Sequence, residues 1–90
     1  IKKHFDKILT RQSVKQLLEN LKKDYPAVIE DINPDLLPLG TIQKVLQNLL
    51  REQIPIKDLV QILESLIDYS KVTKNIDVLT EYVRHSLGET

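Results

Sequence analysis

The 90 residues contain no cysteine, methionine or tryptophan, one phenylalanine and only two glycines. Without cysteine there is no disulfide framework and no thiolate chemistry. Two glycines, Gly40 and Gly88, leave no glycine-rich loop to cradle phosphates. No apolar run approaches the roughly 18 residues that span a bilayer, and the opening residues do not read as a secretory signal. An excess of one charge is missing too. Thirteen basic residues face thirteen acidic ones. Residues 1–45 hold eight and six, and residues 46–90 hold five and seven. Neither half has the basic surplus that nucleic acid or an anionic membrane selects.

What is present is helical periodicity. The stretch Leu36–Ser70, LLPLGTIQKVLQNLLREQIPIKDLVQILESLIDYS, dominates the chain. Ile42, Val45, Leu46, Leu49 and Leu50 repeat at i, i+3, i+4, i+7 and i+8, one face of a helix. Thr41 is the expected N-cap, because its hydroxyl can accept from an orphan N–H. Pro55 is expected to end this helix, leaving Ile54-Pro55-Ile56 as a short extended crossing. The second stripe is Leu59, Ile62, Leu63, Leu66 and Ile67, with Ile56 and Val60 widening it. Asp58 stands in its first turn, where an acid suits the helix dipole. Two such wide faces predict a central helical hairpin at the heart of the core.

The flanks follow the same logic. A helix is expected over Ile1–Leu9, with the stripe Ile1, Phe5, Ile8 and Leu9. Thr10 caps the next, over Arg11–Lys23, whose stripe is Val14, Leu17, Leu18 and Leu21, extended by Tyr25. Lys22 and Lys23 suit its carbonyl end. Pro26 stops it and starts a short helix over Ala27–Ile32, and Asn33-Pro34-Asp35 is a turn. Asn75 caps the last helix, which buries Ile76, Leu79, Val83 and Leu87 and stops at Gly88 as a C′ residue. The fold class expected is all-α: one compact bundle of about five helices over residues 1–90. The stripe already runs at Ile1, and Leu87-Gly88-Glu89-Thr90 reads as a helix stop. The expectation is therefore a single helical subdomain of a longer protein.

Catalytic chemistry finds little to stand on. His4 and His85 are far apart and have no partners at metal-ligand spacing, so two surface histidines are expected. Arg84-His85-Ser86 is no hydrolase triad, because helix neighbours point about 100° apart and no oxyanion hole is in reach. Glu64 and Asp68 stand four apart on one helix face and read as solvated. As a DNA-reading hairpin, the second helix would set Asp58, Glu64 and Asp68 against the single base Lys57, which is wrong for phosphates. Tyr69 and Tyr82 close or interrupt their stripes and suit the rim of a core or an interface. No enzyme activity, cofactor or metal is expected.

The run from LPLGTIQKVLQNLLREQIPIKDLVQILESLIDYS, with LTEYVRHSLG after it and TRQSVKQLLENLKKDYPAVIED before it, resembles the FHIPEP family of type III secretion export-gate proteins. The likeness covers about Thr10 to Glu89 without a gap. It implies a helical subdomain within a cytoplasmic domain whose parent is an integral membrane protein. That domain would lie at the cytoplasmic face of the bacterial inner membrane, and this segment would make no membrane contact of its own. The resemblance further implies assembly of copies into a cytoplasmic, nonameric ring. It also implies docking of flagellar export substrates, their chaperones and the ATPase complex, by protein contact and not by catalysis.

The helices would set the angle between flanking subdomains and offer a polar flank to the next copy. Arg51, Glu52, Lys57 and Arg84 are the exposed charges expected there. The rival reading is a generic helical adaptor that binds an amphipathic peptide helix in a groove. Family members often have glycine where Gln53 stands. A glutamine held left-handed there would cost about 1 kcal/mol, so this turn is expected to be built differently. Members also often open the last helix with Asp-Pro, where this chain has Asn75-Ile76.

Overall fold

Thr10 opens the first helix of the computed structural model, which describes residues 9–88. Its hydroxyl accepts from the Ser13 N–H at 3.1 Å, as the sequence predicts for an N-cap. Helix α1 then runs Arg11–Asp24. Tyr25 leaves the helical region at φ −134°, ψ 65°, and Pro26 takes the first position of the short helix α2, Pro26–Glu30. A residue without an N–H loses nothing there, since the first helical N–H has no partner anyway. Helix α3 is Leu39–Arg51, α4 is Leu59–Tyr69 and α5 is Ile76–Gly88. Among the described residues there are five helices and no strand. The helix expected over residues 1–9 lies outside the described residues, apart from Leu9, which is buried and not helical.

The core is built from the predicted stripes. Ile42, Val45, Leu46 and Leu49 of α3, and Leu59, Ile62, Leu63 and Leu66 of α4, are all buried. Val14 of α1 and Leu79 and Val83 of α5 complete the same cluster. Leu37 joins it from a turn that no periodicity marks. Asn33 Oδ1 accepts from the Asp35 N–H at 2.9 Å, and the Asn33 carbonyl accepts from the N–H of Leu36 and Leu37. That folded-back turn carries Leu37 inward to 1% exposure. Tyr25, expected to extend the α1 stripe, is 49% exposed because the chain turns before it can follow the helix.

The two helices of the central hairpin supply most of the core, and each has α5 as a neighbour. α3 and α4 share the core, yet their backbones come close at few points. It is α5 that lies against both, and α1 closes on α2 and α3.

Three helix ends also differ from expectation. α3 starts at Leu39, and Thr41 sits inside it. Pro38, at φ −69° and ψ 161°, is the N-cap, and its carbonyl accepts from the Thr41 and Ile42 N–H groups. Asp58 is the N-cap of α4, one position before the first turn, and its side chain makes no capping bond. Gly88 is the last residue of α5 and neither glycine has a positive φ, so Gly88 is no left-handed C′ residue.

The stop of α3 is the most informative end. The helix ends at Arg51, well before Pro55, through a left-handed Gln53 at φ 64°. The Gln53 N–H donates to the Leu50 carbonyl and the Ile54 N–H to the Leu49 carbonyl, each at 2.9 Å. This is a Schellman stop with glutamine in the place glycine prefers. The two bonds, together with the half-buried Ile54 after them, hold the strained residue in place. Gln53→Gly is therefore expected to raise stability by about 1 kcal/mol. Chemical denaturation checks it, with Gln53→Ala, which keeps the strain, expected near the parent.

Candidate interaction surface

The four charges singled out in the sequence gather where α3 ends and α5 passes it. Arg51 and Glu52 are the last helical residue and C-cap of α3, Lys57 lies on the segment leading to α4, and Arg84 is on α5. All four are exposed. Arg84 Nη1 lies 3.4 Å from Glu52 Oε1, bridging α5 to the end of α3. Its Nη2 also donates to Glu81, one turn earlier on α5. With both partners of the bridge more than two-fifths exposed, such a pair stabilises the fold by about 0–1 kcal/mol. Its place on the surface matters more than its energy.

Arg51 belongs to a second link between the same helices. Its Nη1 donates to Asn48 Oδ1 at 3.1 Å, and Asn48 Nδ2 donates to Thr80 Oγ1 at 3.2 Å. The Thr80 hydroxyl, in a residue only 3% exposed, donates to the Ile76 carbonyl at 2.8 Å. A polar chain thus runs from surface to core and fixes how α3 and α5 are seated. Sequence reasoning did not find it. Asn48 reads as a surface residue between Val45 and Leu49, and only the partner helix reveals its role.

Lys57 is not joined to the others by a hydrogen bond. It shares with Arg84 an open groove of about 490 Å³, whose apolar lining is Ile54, Pro55 and Leu87. On the other side of Pro55 lies a wider groove of about 720 Å³, lined by Leu9, Leu17, Leu50 and Ile56, with Lys57 again at its border. The structure therefore brings Glu52 and Arg84 into contact, sets Lys57 across a groove from Arg84, and ties Arg51 inward.

The other sequence candidates fall elsewhere. His4 lies outside the described residues. Glu64 and Asp68 are exposed on α4, and among the described residues no group of histidines and carboxylates could hold a metal ion. The Ser86 hydroxyl is held by α4, with Gln61 Nε2 and Ser65 Oγ each 3.1 Å from it. Tyr69 and Tyr82, expected at a rim, stack on each other with ring centroids 4.0 Å apart and planes 4° from parallel. Among the described residues no helix is long and apolar enough to cross a membrane.

Comparison with known proteins places this architecture. The FHIPEP family model matches residues 1–90. The flagellar biosynthesis protein FlhA of Bacillus subtilis is 46% identical over 89 residues, which is 99% of this chain and 13% of that protein. FlhA of Helicobacter pylori is 44% identical over 89 residues, 98% of this chain and 12% of that protein. Among solved structures, the Chlamydia pneumoniae CdsV protein is 36% identical, with a TM-score of 0.85. The match covers 91% of this chain and 24% of that one. CdsV in complex with CdsO matches with a TM-score of 0.84 at the same identity and coverage. The chain thus spans about an eighth of the length of the curated relatives it matches.

Proposed function

We infer that this chain, which belongs to the FHIPEP family, is an interaction subdomain of a type III protein export gate and acts by contact instead of catalysis. Residues 1–90 form one helical subdomain of a larger cytoplasmic domain at the bacterial inner membrane. Its rigid interior sets the angle between flanking subdomains. Its charged flank meets the next copy in a cytoplasmic, nonameric ring, on which export substrates, their chaperones and the ATPase complex dock. The observation that carries this reading is the family match along the whole chain. The solved relative in complex with CdsO supports export-apparatus proteins as partners.

The place of the contact is argued from the surface. Glu52, Arg84, Arg51 and Lys57 form a polar flank around the end of α3, anchored from beneath by Asn48 and Thr80. Complementary charges at such a flank set register and orientation between copies while leaving the contact reversible. The apolar groove of Leu9, Leu17, Leu50 and Ile56 favours a second reading, an adaptor for an amphipathic helix. Titration with amphipathic peptides separates them, because a scaffold ignores such peptides.

The direct test compares association of the complete cytoplasmic domain, by mass in solution, for the parent, Arg84→Glu, Glu52→Arg and the double swap. Each single reversal is expected to weaken association about tenfold, equivalent to about 1.4 kcal/mol. The double swap restores the internal bridge, so it recovers the melting temperature but not the association. Parental association in all three variants overturns the charged flank as a ring contact.

A further inference from the structure

The chain enters its first helix through a clamp. The Leu9 carbonyl accepts from Gln47 Nε2 at 2.9 Å and from Gln43 Nε2 at 3.3 Å, two amides one turn apart on α3. The Ser13 N–H, which an unbroken helix would turn to Leu9, donates to Thr10 Oγ1. The clamp thus fixes the point at which residues 1–8 join the bundle. That point lies on the wide groove beside Pro55. Leu9 lines it together with Leu17 of α1, Leu50 of α3 and Ile56, and Lys57 is its one charged border among the described residues. Leu9 is 8% exposed, whereas Leu17, Leu50 and Ile56 are half-buried and keep apolar surface open on the groove.

The sequence of residues 1–8 suits that surface. Ile1, Phe5 and Ile8 recur at i, i+4 and i+7, the stripe of one helical face. Leu9, already seated in the groove, continues the same stripe. Lys3, Asp6 and Lys7 fall on the opposite side of that period. Counted back from the clamp, eight residues span about 12 Å at helical rise, so the stripe crosses the groove without a linker. Covering Leu17, Leu50 and Ile56 removes their remaining apolar surface from water, which favours any apolar occupant. Attachment decides between occupants. A tethered segment meets its site at an effective concentration on the order of millimolar, far above that of a free peptide.

We propose that residues 1–8 of this chain occupy the groove of Leu17, Leu50 and Ile56 in cis, laying Ile1, Phe5 and Ile8 on it, with the Gln43 and Gln47 clamp holding their point of entry. The seat closes to amphipathic peptides the groove that an adaptor would leave open. On the export-gate reading, on which this consequence alone rests, the seat is also the joint that sets the angle to the preceding subdomain. The seat itself is independent of the ring contact at Glu52 and Arg84 and is tested without it.

The chain has no tryptophan, so Phe5→Trp in the full chain gives a single indole emitter. Its emission is expected to be blue-shifted, and its quenching by acrylamide severalfold weaker, relative to Val72→Trp, at a position 73% exposed. Leu17→Lys with Ile56→Lys, added to the Phe5→Trp chain, is expected to bring both readings to those of Val72→Trp. Melting curves establish that this variant is folded, and if it is not, methyl resonances of the full chain decide. Phe5 is the only phenylalanine. Phe5→Ala is expected to move the methyl signals of Leu17, Leu50 and Ile56 and to leave those of the core residues Leu63 and Leu79 in place. Emission and quenching of Phe5→Trp equal to those of Val72→Trp overturn the proposal and leave the groove to another partner. Unmoved methyl signals in Phe5→Ala do the same. A blue shift that fades on dilution equally overturns it, since the segment then lies on a second copy.

Discussion

Leu49→Ala and Leu63→Ala are each expected to destabilise the chain by about 2–5 kcal/mol. Both residues are 0% exposed, one midway along the buried face of α3 and the other along that of α4. Truncation removes the transfer free energy of three carbons and leaves a cavity that a close-packed interior closes only in part. Leu49 carries a second duty, because its carbonyl accepts the Ile54 N–H that locks the stop of α3. That backbone bond survives alanine, so the loss measures packing alone. A domain of this size has about 5–15 kcal/mol in total. Each kilocalorie shifts its melting midpoint by about 4–8 °C. Thermal melting should therefore show drops of about 8 °C or more by that scaling, and the neighbours of Leu63, themselves fully buried, do not collapse into the cavity. Leu50→Ala, only half-buried, is the comparison and should lose much less. Parental melting of either core variant would place these residues outside the core.

How far the sequence foretold this can be followed residue by residue. A period of 3.6 reports which side of a helix is buried, and the stripes of α3 and α4 were legible for that reason. The same period says nothing about which helix covers that side. This is why the sequence marked α3 and α4 as central but did not show that α5 lies against both of them. Caps were legible where one side chain settles the matter: Thr10 and Asn75 both accept from a first-turn N–H. They were not legible at Thr41 or Asp58, where the backbone of Pro38 and the extended segment before α4 set the helix start instead. Gln53 was recognised as a strained choice, but its left-handed turn forms all the same, because two backbone bonds and Ile54 outweigh about 1 kcal/mol. The exposed charges of the candidate surface could be picked out as exposed. Their pairing could not, since Glu52 and Arg84 meet only when α5 is placed.

Removal of α5, by ending the chain at Lys74, is expected to abolish cooperative unfolding altogether. α5 contributes Leu79 and Val83 to the core, at 0% and 1% exposure. Burying two such side chains stabilises by about 3–6 kcal/mol, comparable with the whole stability of a small domain. The loss does not stop there, because the faces of α3 and α4 that α5 covers become wet at the same time. Thr80 leaves with it, and half-buried Asn48 loses the hydroxyl that accepts from its amide. What remains is α1 against α2 and α3, with an α4 whose backbone approaches that of α3 at few points. Isolated helices of 11 and 13 residues are marginal in water without a packed face. Circular dichroism of the shortened chain should therefore show reduced helicity and a gradual, non-cooperative melt. A cooperative transition in that chain would mean that α3 and α4 recognise each other directly, as the hairpin reading of the sequence holds. Its absence would make α5 the element that joins the halves of the core, the same helix that carries Arg84 to its bridge with Glu52.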